Sequence, residues 1–214
     1  MTQDLKRLEF HGNATIDFDN IAFIVLASIL ASVALLSHSI PVLIGAMILA
    51  PTFDPLVAIP FGLINRDWKL LRQGITGSAI LLTVSGAVCL LTVKLLLLTN
   101  AVPGSLTTVG PDMVTERLVT GWHSFIVALT AGAGGALASA SNRRENLIGV
   151  ILALALVPAL AASAVAFNYQ QVNGWGGLKL FGINIVGILI SGLIVLALRR
   201  GSGDVQEKVK KKEL

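Results

Sequence analysis

Within the apolar stretch IGAMILAPTFDPLVAIPFG, residues 44–62, the single charged residue is Asp54, held between Pro51 and Pro55 with Pro60 following. Proline has no N–H, and its ring pushes away the carbonyl four residues earlier. In a helix, Pro51, Pro55 and Pro60 therefore release the carbonyls of Met47, Pro51 and Leu56. In lipid a released carbonyl is costly unless protein, water or an ion meets it. Asp54 precedes a proline and is biased away from helical geometry. A carboxylate beside released carbonyls is a hard, oxygen-rich constellation that suits a proton or a small cation. The plainer account is a proline-kinked helix in which a backbone N–H or the Thr52 hydroxyl meets Asp54.

A second apolar run, GVILALALVPALA at 149–161, holds Pro158, which frees the Leu154 carbonyl and supplies an uncharged counterpart to the first break. The candidate ion or substrate residues are thus Asp54, Pro51, Thr52, Pro55 and Pro158, with the carbonyls of Met47 and Leu154. Asn184 joins them as a polar group in a long apolar run; an interhelical hydrogen bond explains it equally well. The glycines Gly132, Gly134 and Gly135 in AGAGGALASAS (131–141) let another backbone approach closely, as a packing face or as the lining of a permeation path.

Other chemistry finds little support. The three histidines and Cys89 lack metal-ligand spacing, and phosphate-loop and dinucleotide motifs are absent. No histidine occurs deep in an apolar run beside Ser78 or Ser85, as an intramembrane serine protease requires. The expectation is a protein that is not an enzyme and carries no cofactor, with the identity of any metal left open.

The elements that must position these residues follow from composition. Of 214 residues 54% are hydrophobic and 13% charged, with mean hydropathy +0.80. Soluble domains carry about 25% charged residues, so this is a membrane protein. Six runs are near the roughly 20 residues a helical span needs: 20–37, 41–63, 73–99, 118–141, 147–167 and 178–198. Thirteen of the 16 basic residues fall on one side of a six-span arrangement: Lys6, Arg7, Arg66, Lys69, Arg72, Arg143, Arg144 and those of the tail. The excess of Lys and Arg on cytoplasmic loops puts both termini there. The net charge of +4 reflects these clusters and does not argue for nucleic acid. Residues 1–19 form a short cytoplasmic segment, 20–198 the membrane domain, and 199–214 a basic, disordered cytoplasmic tail.

The two halves, about 20–99 and 118–198, rhyme. FIVLAS at 23–28 echoes FIVALT at 125–130, and LIGAMILA at 43–50 echoes LIGVILAL at 147–154. Pro55 and Pro158 stand at nearly the same offset, and LLTVSGAV at 81–88 resembles GILISGLI at 187–194. Three spans per half is an odd number, so the second half enters from the opposite face. The fold class expected is all-α: six transmembrane helices in two inverted three-helix repeats with proline-broken second helices.

IGAMILAPTFDPLVAI (44–59), TAGAGGALA (130–138), GVILALALVPALA (149–161) and FGINIVGILI (181–190) together resemble a prokaryotic hydrophobic-domain family catalogued as domain of unknown function three-eight-nine. The resemblance covers roughly residues 20–198. Members often carry a Pro-Leu-Met-x-Pro-like stretch and a double proline in the later motif; here stand Pro51-Thr52-Phe53-Asp54-Pro55 and Pro158-Ala159. Asp54 is therefore a departure. The resemblance implies a multi-pass protein of a prokaryotic cell membrane and no particular activity. The function expected from the residues is a carrier or channel for a small ion or solute, with its site at the bilayer midplane between the broken helices. The competing expectation is a structural or lipid-interacting membrane protein without transport. The partners expected are the lipid bilayer, the ion or solute, and further copies of the chain in a homo-oligomer.

Overall fold

The computed structural model describes residues 16–99, 114, 118, 121–141, 156–168 and 175–210, with backbone alone beyond Arg199. The described residues form seven helices. In chain order they are α1 (Phe18–Leu36), α2 (Ile40–Leu49), α3 (Phe53–Ile64), α4 (Trp68–Leu98), α5 (Trp122–Ser141), α6 (Leu156–Asn168) and α7 (Trp175–Lys210).

Local chemistry sets the ends of the first four. Asp17 caps α1, its carboxylate accepting from the Asn20 N–H at 3.0 Å, and Asp67 caps α4 by accepting from the Leu70 N–H at 3.1 Å. Each satisfies an N–H that the helix itself leaves unpaired. The helices α1 and α3 close with the same bond pattern: Ser39 N–H donates to Ala34 O at 2.9 Å, and Asp67 N–H to Gly62 O at 2.8 Å. That closure requires a left-handed residue just past the helix, usually glycine. Here His38 (φ 51°) and Arg66 (φ 52°) occupy it, at a backbone cost of about 1–2 kcal/mol each.

Three helices are long and apolar enough to cross a membrane: α1, α4 and the Trp175–Arg199 part of α7. The pair α2 and α3, bent by 44°, makes a fourth if it is one broken span. With 10 and 12 residues, its arms measure about 15 and 18 Å at 1.5 Å per residue, together enough for a hydrocarbon core of about 30 Å. The six spans expected from the sequence are thus seen in part. Of the expected fourth span the described part is the helix Trp122–Ser141, and of the expected fifth only α6 falls within the described residues. The segments 1–15 and 142–155 lie outside them. The tail departs from expectation: helix continues through residues 201–210, where disorder was expected. Gln206, Glu207 and Lys208 are good helix formers, and α7 already supplies the nucleus they would otherwise have to build.

The helix α6 lies at the centre. Every residue from Leu156 to Ala166 is buried, enclosed by α1, α2, α4 and α7. Small side chains permit this: Ala159, Ala161, Ala162, Ala164 and Ala166 let neighbouring backbones close in. One core cluster joins α1, α2, α4 and α6 through Ile24, Leu43, Leu81 and Val165. Outward, Leu26, Ile48, Leu91, Ile126 and Ile194 are exposed, as a lipid-facing surface requires. Trp68 and Trp122, the first residues of α4 and α5, and Trp175 of α7 are all exposed, as aromatic anchors at a membrane interface are.

Candidate functional site

The break between α2 and α3 lies at the stretch singled out in the sequence. Ala50, with φ −74° and ψ 116°, takes the chain out of helix, and α3 restarts at Phe53. Ending at Leu49, α2 leaves its last carbonyls without an intrahelical donor, Met47 among them. Pro60 stands inside α3 and deprives the Leu56 carbonyl of its partner. Pro55 behaves differently from expectation. It is the third residue of α3, where no helical N–H is needed, so it releases no helical bond; the Pro51 carbonyl lies in the turn.

Thr52 and Pro55 are buried, Pro51 is half-buried, and Asp54 is exposed on the surface of the chain. As the second residue of α3, Asp54 sits in the first turn, where the helix dipole favours a negative charge. The arm lengths of α2 and α3 put it about halfway along the broken span.

Two close crossings hold the proline-bearing helices α3 and α6. A methyl placed on the Cα of Gly74 in α4 would meet Pro55 O at 2.8 Å and Ile59 N at 3.1 Å. A methyl on Gly177 in α7 would meet the Ser163 hydroxyl, Ala159 O at 2.6 Å and Ser163 N at 3.0 Å. Only glycine allows such an approach of two backbones. Neighbouring contacts extend both crossings in the same sense. A methyl on Gly62 would meet Leu71 N at 2.7 Å, and the rings of Phe167 and Trp175 meet edge to face at 5.9 Å. The hydroxyls of Ser78, one turn past Gly74, and of Ser163 are buried without a hydrogen-bond partner.

Pro158 is buried within α6, as Pro55 is buried within α3. The Leu154 carbonyl lies outside the described residues. Residues beside the two prolines share one buried cluster, Leu56 and Val57 with Leu156, completed by Ala131 of α5 and Ile188 of α7. Asn184, 4% exposed, stands one turn before Ile188, between Phe181 and Ile185, which flank that cluster. Gly132 is taken up by packing, since a methyl there would meet the Ser191 hydroxyl and Ile188 Cα at 2.6 Å; Gly135 is buried beside it and Gly134 half-buried. The structure thus gathers the neighbours of Pro55 and Pro158 in one cluster with Asn184 nearby, and leaves the Asp54 side chain outward. Sequence reasoning passed over Gly74, Gly177 and Ser163, although Gly74 and Gly177 stand 103 residues apart, the Pro55–Pro158 offset.

Comparison with known proteins supplies the family. The model of the family described as Domain of unknown function (DUF389) matches residues 47–190, and the chain belongs to that family. An uncharacterized protein of Methanocaldococcus jannaschii is 26% identical over 185 residues, covering 86% of this chain and 55% of that protein. The chain therefore spans about half the length of the curated relative it matches. No solved structure matches.

Proposed function

We propose that this member of the DUF389 family is a multi-pass carrier or channel for a small ion or solute, built from two inverted three-helix repeats. The observation that carries the reading is the duplicated crossing. Gly74 against Pro55 and Ile59 becomes Gly177 against Ala159 and Ser163 when 103 or 104 is added to each residue number. The packing of the long helices follows the same rule. Ser28 Oγ of α1 lies 2.8 Å from Ser85 Oγ of α4; 103 residues on, Ala131 of α5 and Ile188 of α7 share one cluster. Four apolar sequence matches could be chance, but crossings that repeat at the same offset are harder to obtain without a duplicated fold.

In such a plan the site lies where the broken helices meet, and one repeat rocks against the other to expose it alternately to each side. The unpaired carbonyls at the end of α2 form the negative pole of that helix, and Asp54 adds a full charge beside the break. Both favour a cation or a proton over an anion. Asn184 and the hydroxyls of Ser78 and Ser163 offer further oxygens as the crossings loosen. The test is flux in reconstituted vesicles. Purified chain should carry a monovalent cation or proton current above that of empty vesicles, and Asp54→Asn should remove it without loss of folded protein.

A further inference from the structure

The corner between α3 and α4 is tightly packed and basic, and it lies outside the proposed transport site. Gly62 lets the first turn of α4 seat on the last turn of α3, and the side chain of Asp67 is turned inward to cap α4. What the corner presents outward is Arg66, Trp68, Lys69 and Arg72, all exposed. Val195 and Leu196 of α7 pack with Phe61 and Ile64 of α3, so exposed Arg199, about one turn further on, joins the same end of the molecule. Exposed Leu63, Trp68 and Leu198 give the cluster an apolar rim on its membrane side.

The backbone adds an independent indication. Arg66 occupies the left-handed position that closes α3, where glycine would be relaxed. Left-handed backbone at Arg66, as at His38, is held in place by the surrounding helix closure, and at Arg66 it fixes the point from which a guanidinium reaches the cluster. Guanidinium matches phosphate oxygens in a two-pronged geometry, and basic groups at a membrane surface recognise anionic headgroups.

We propose that the α3–α4 corner, with Arg199, is a binding site for the phosphodiester headgroup of an anionic phospholipid. Trp68 packs at the headgroup level, and Arg66, Lys69 and Arg72 hold the phosphate. The assignment does not depend on what the protein transports.

Native mass spectrometry tests it on the full chain in neutral detergent, offered equimolar phosphatidylglycerol and phosphatidylcholine. The wild type should retain phosphatidylglycerol preferentially, and each cation removed should cut the preference by up to about fivefold. Lys69→Gln with Arg72→Gln should therefore lose most of it. Arg66→Gly should lower the preference while raising the melting temperature, which separates lost binding from lost folding. Equal retention of the two lipids by the wild type, or an undiminished preference in the Lys69→Gln/Arg72→Gln variant, would overturn the assignment. Displacement of the lipid by sn-glycerol 3-phosphate at equal concentration would overturn it too, because the site would then be one for a soluble phosphate.

Discussion

Gly74 of α4 meets the backbone of Pro55 in α3 so closely that a single added methyl would stand 2.8 Å from the Pro55 carbonyl oxygen. The contact fixes where the proline-led half-helix lies, and Gly177 repeats it against α6. Overpacking such a contact costs about 1–3 kcal/mol. Gly74→Ala and Gly177→Ala should each lower the melting temperature in detergent by a similar amount. Gly45→Ala and Gly86→Ala, which meet nothing within 4 Å, should be neutral or stabilising, by up to about 1 kcal/mol. A tolerated Gly177→Ala beside a damaging Gly74→Ala would break the equivalence of the halves.

The end of α1 makes a prediction of its own. His38 has φ 51° with Ser39 N–H closing on Ala34 O, so His38→Gly should stabilise the fold by about 1 kcal/mol. Thermal unfolding checks it, and a lower melting temperature would mean that the imidazole makes a contact worth more than the strain.

Asp67 is 7% exposed and caps α4 at the tight corner. Asp67→Ala should cost about 0.5–2 kcal/mol. Asp17→Ala, at an exposed cap, should cost less, because water can replace the lost partner. Equal losses at both sites would show that burial of the Asp67 cap adds nothing.

How much of this was legible follows from what each residue's role depends on. The break was visible because proline acts on its own backbone: Pro51 and the residues around it interrupt the helix whatever surrounds them, and the structure breaks at Ala50–Thr52. The glycines of the crossings were not legible, since Gly74 matters only through the Pro55 carbonyl, a partner in another helix. The orientation of Asp54 was hidden for the same reason. Its place near the N-terminus of α3 follows from sequence, but which face turns outward depends on how α3 packs against α4 and α7. The basic end was legible as a charge count; that Val195 and Leu196 bring Arg199 to the α3–α4 corner required the packing.

Topology offers a direct check of the repeat. Reporter fusions after Arg72, Arg144 and Arg200 should read as cytoplasmic, and fusions near Gly104 and Asn173 as external. An external reading at Arg144 would remove the odd number of crossings per half on which inversion depends.

The measurement that bears most directly on the proposed function is cation or proton flux per folded protein in vesicles, compared between wild type and Asp54→Asn. The amide keeps the shape of the carboxylate and removes its charge, whose placement in a membrane costs about 2.5–3.5 kcal/mol. Wild-type flux above that of empty vesicles, its loss in Asp54→Asn, and an unchanged or higher melting temperature in the variant are the results predicted. Flux that survives the substitution, or falls only in step with the yield of folded protein, would contradict a transport site at the broken helix.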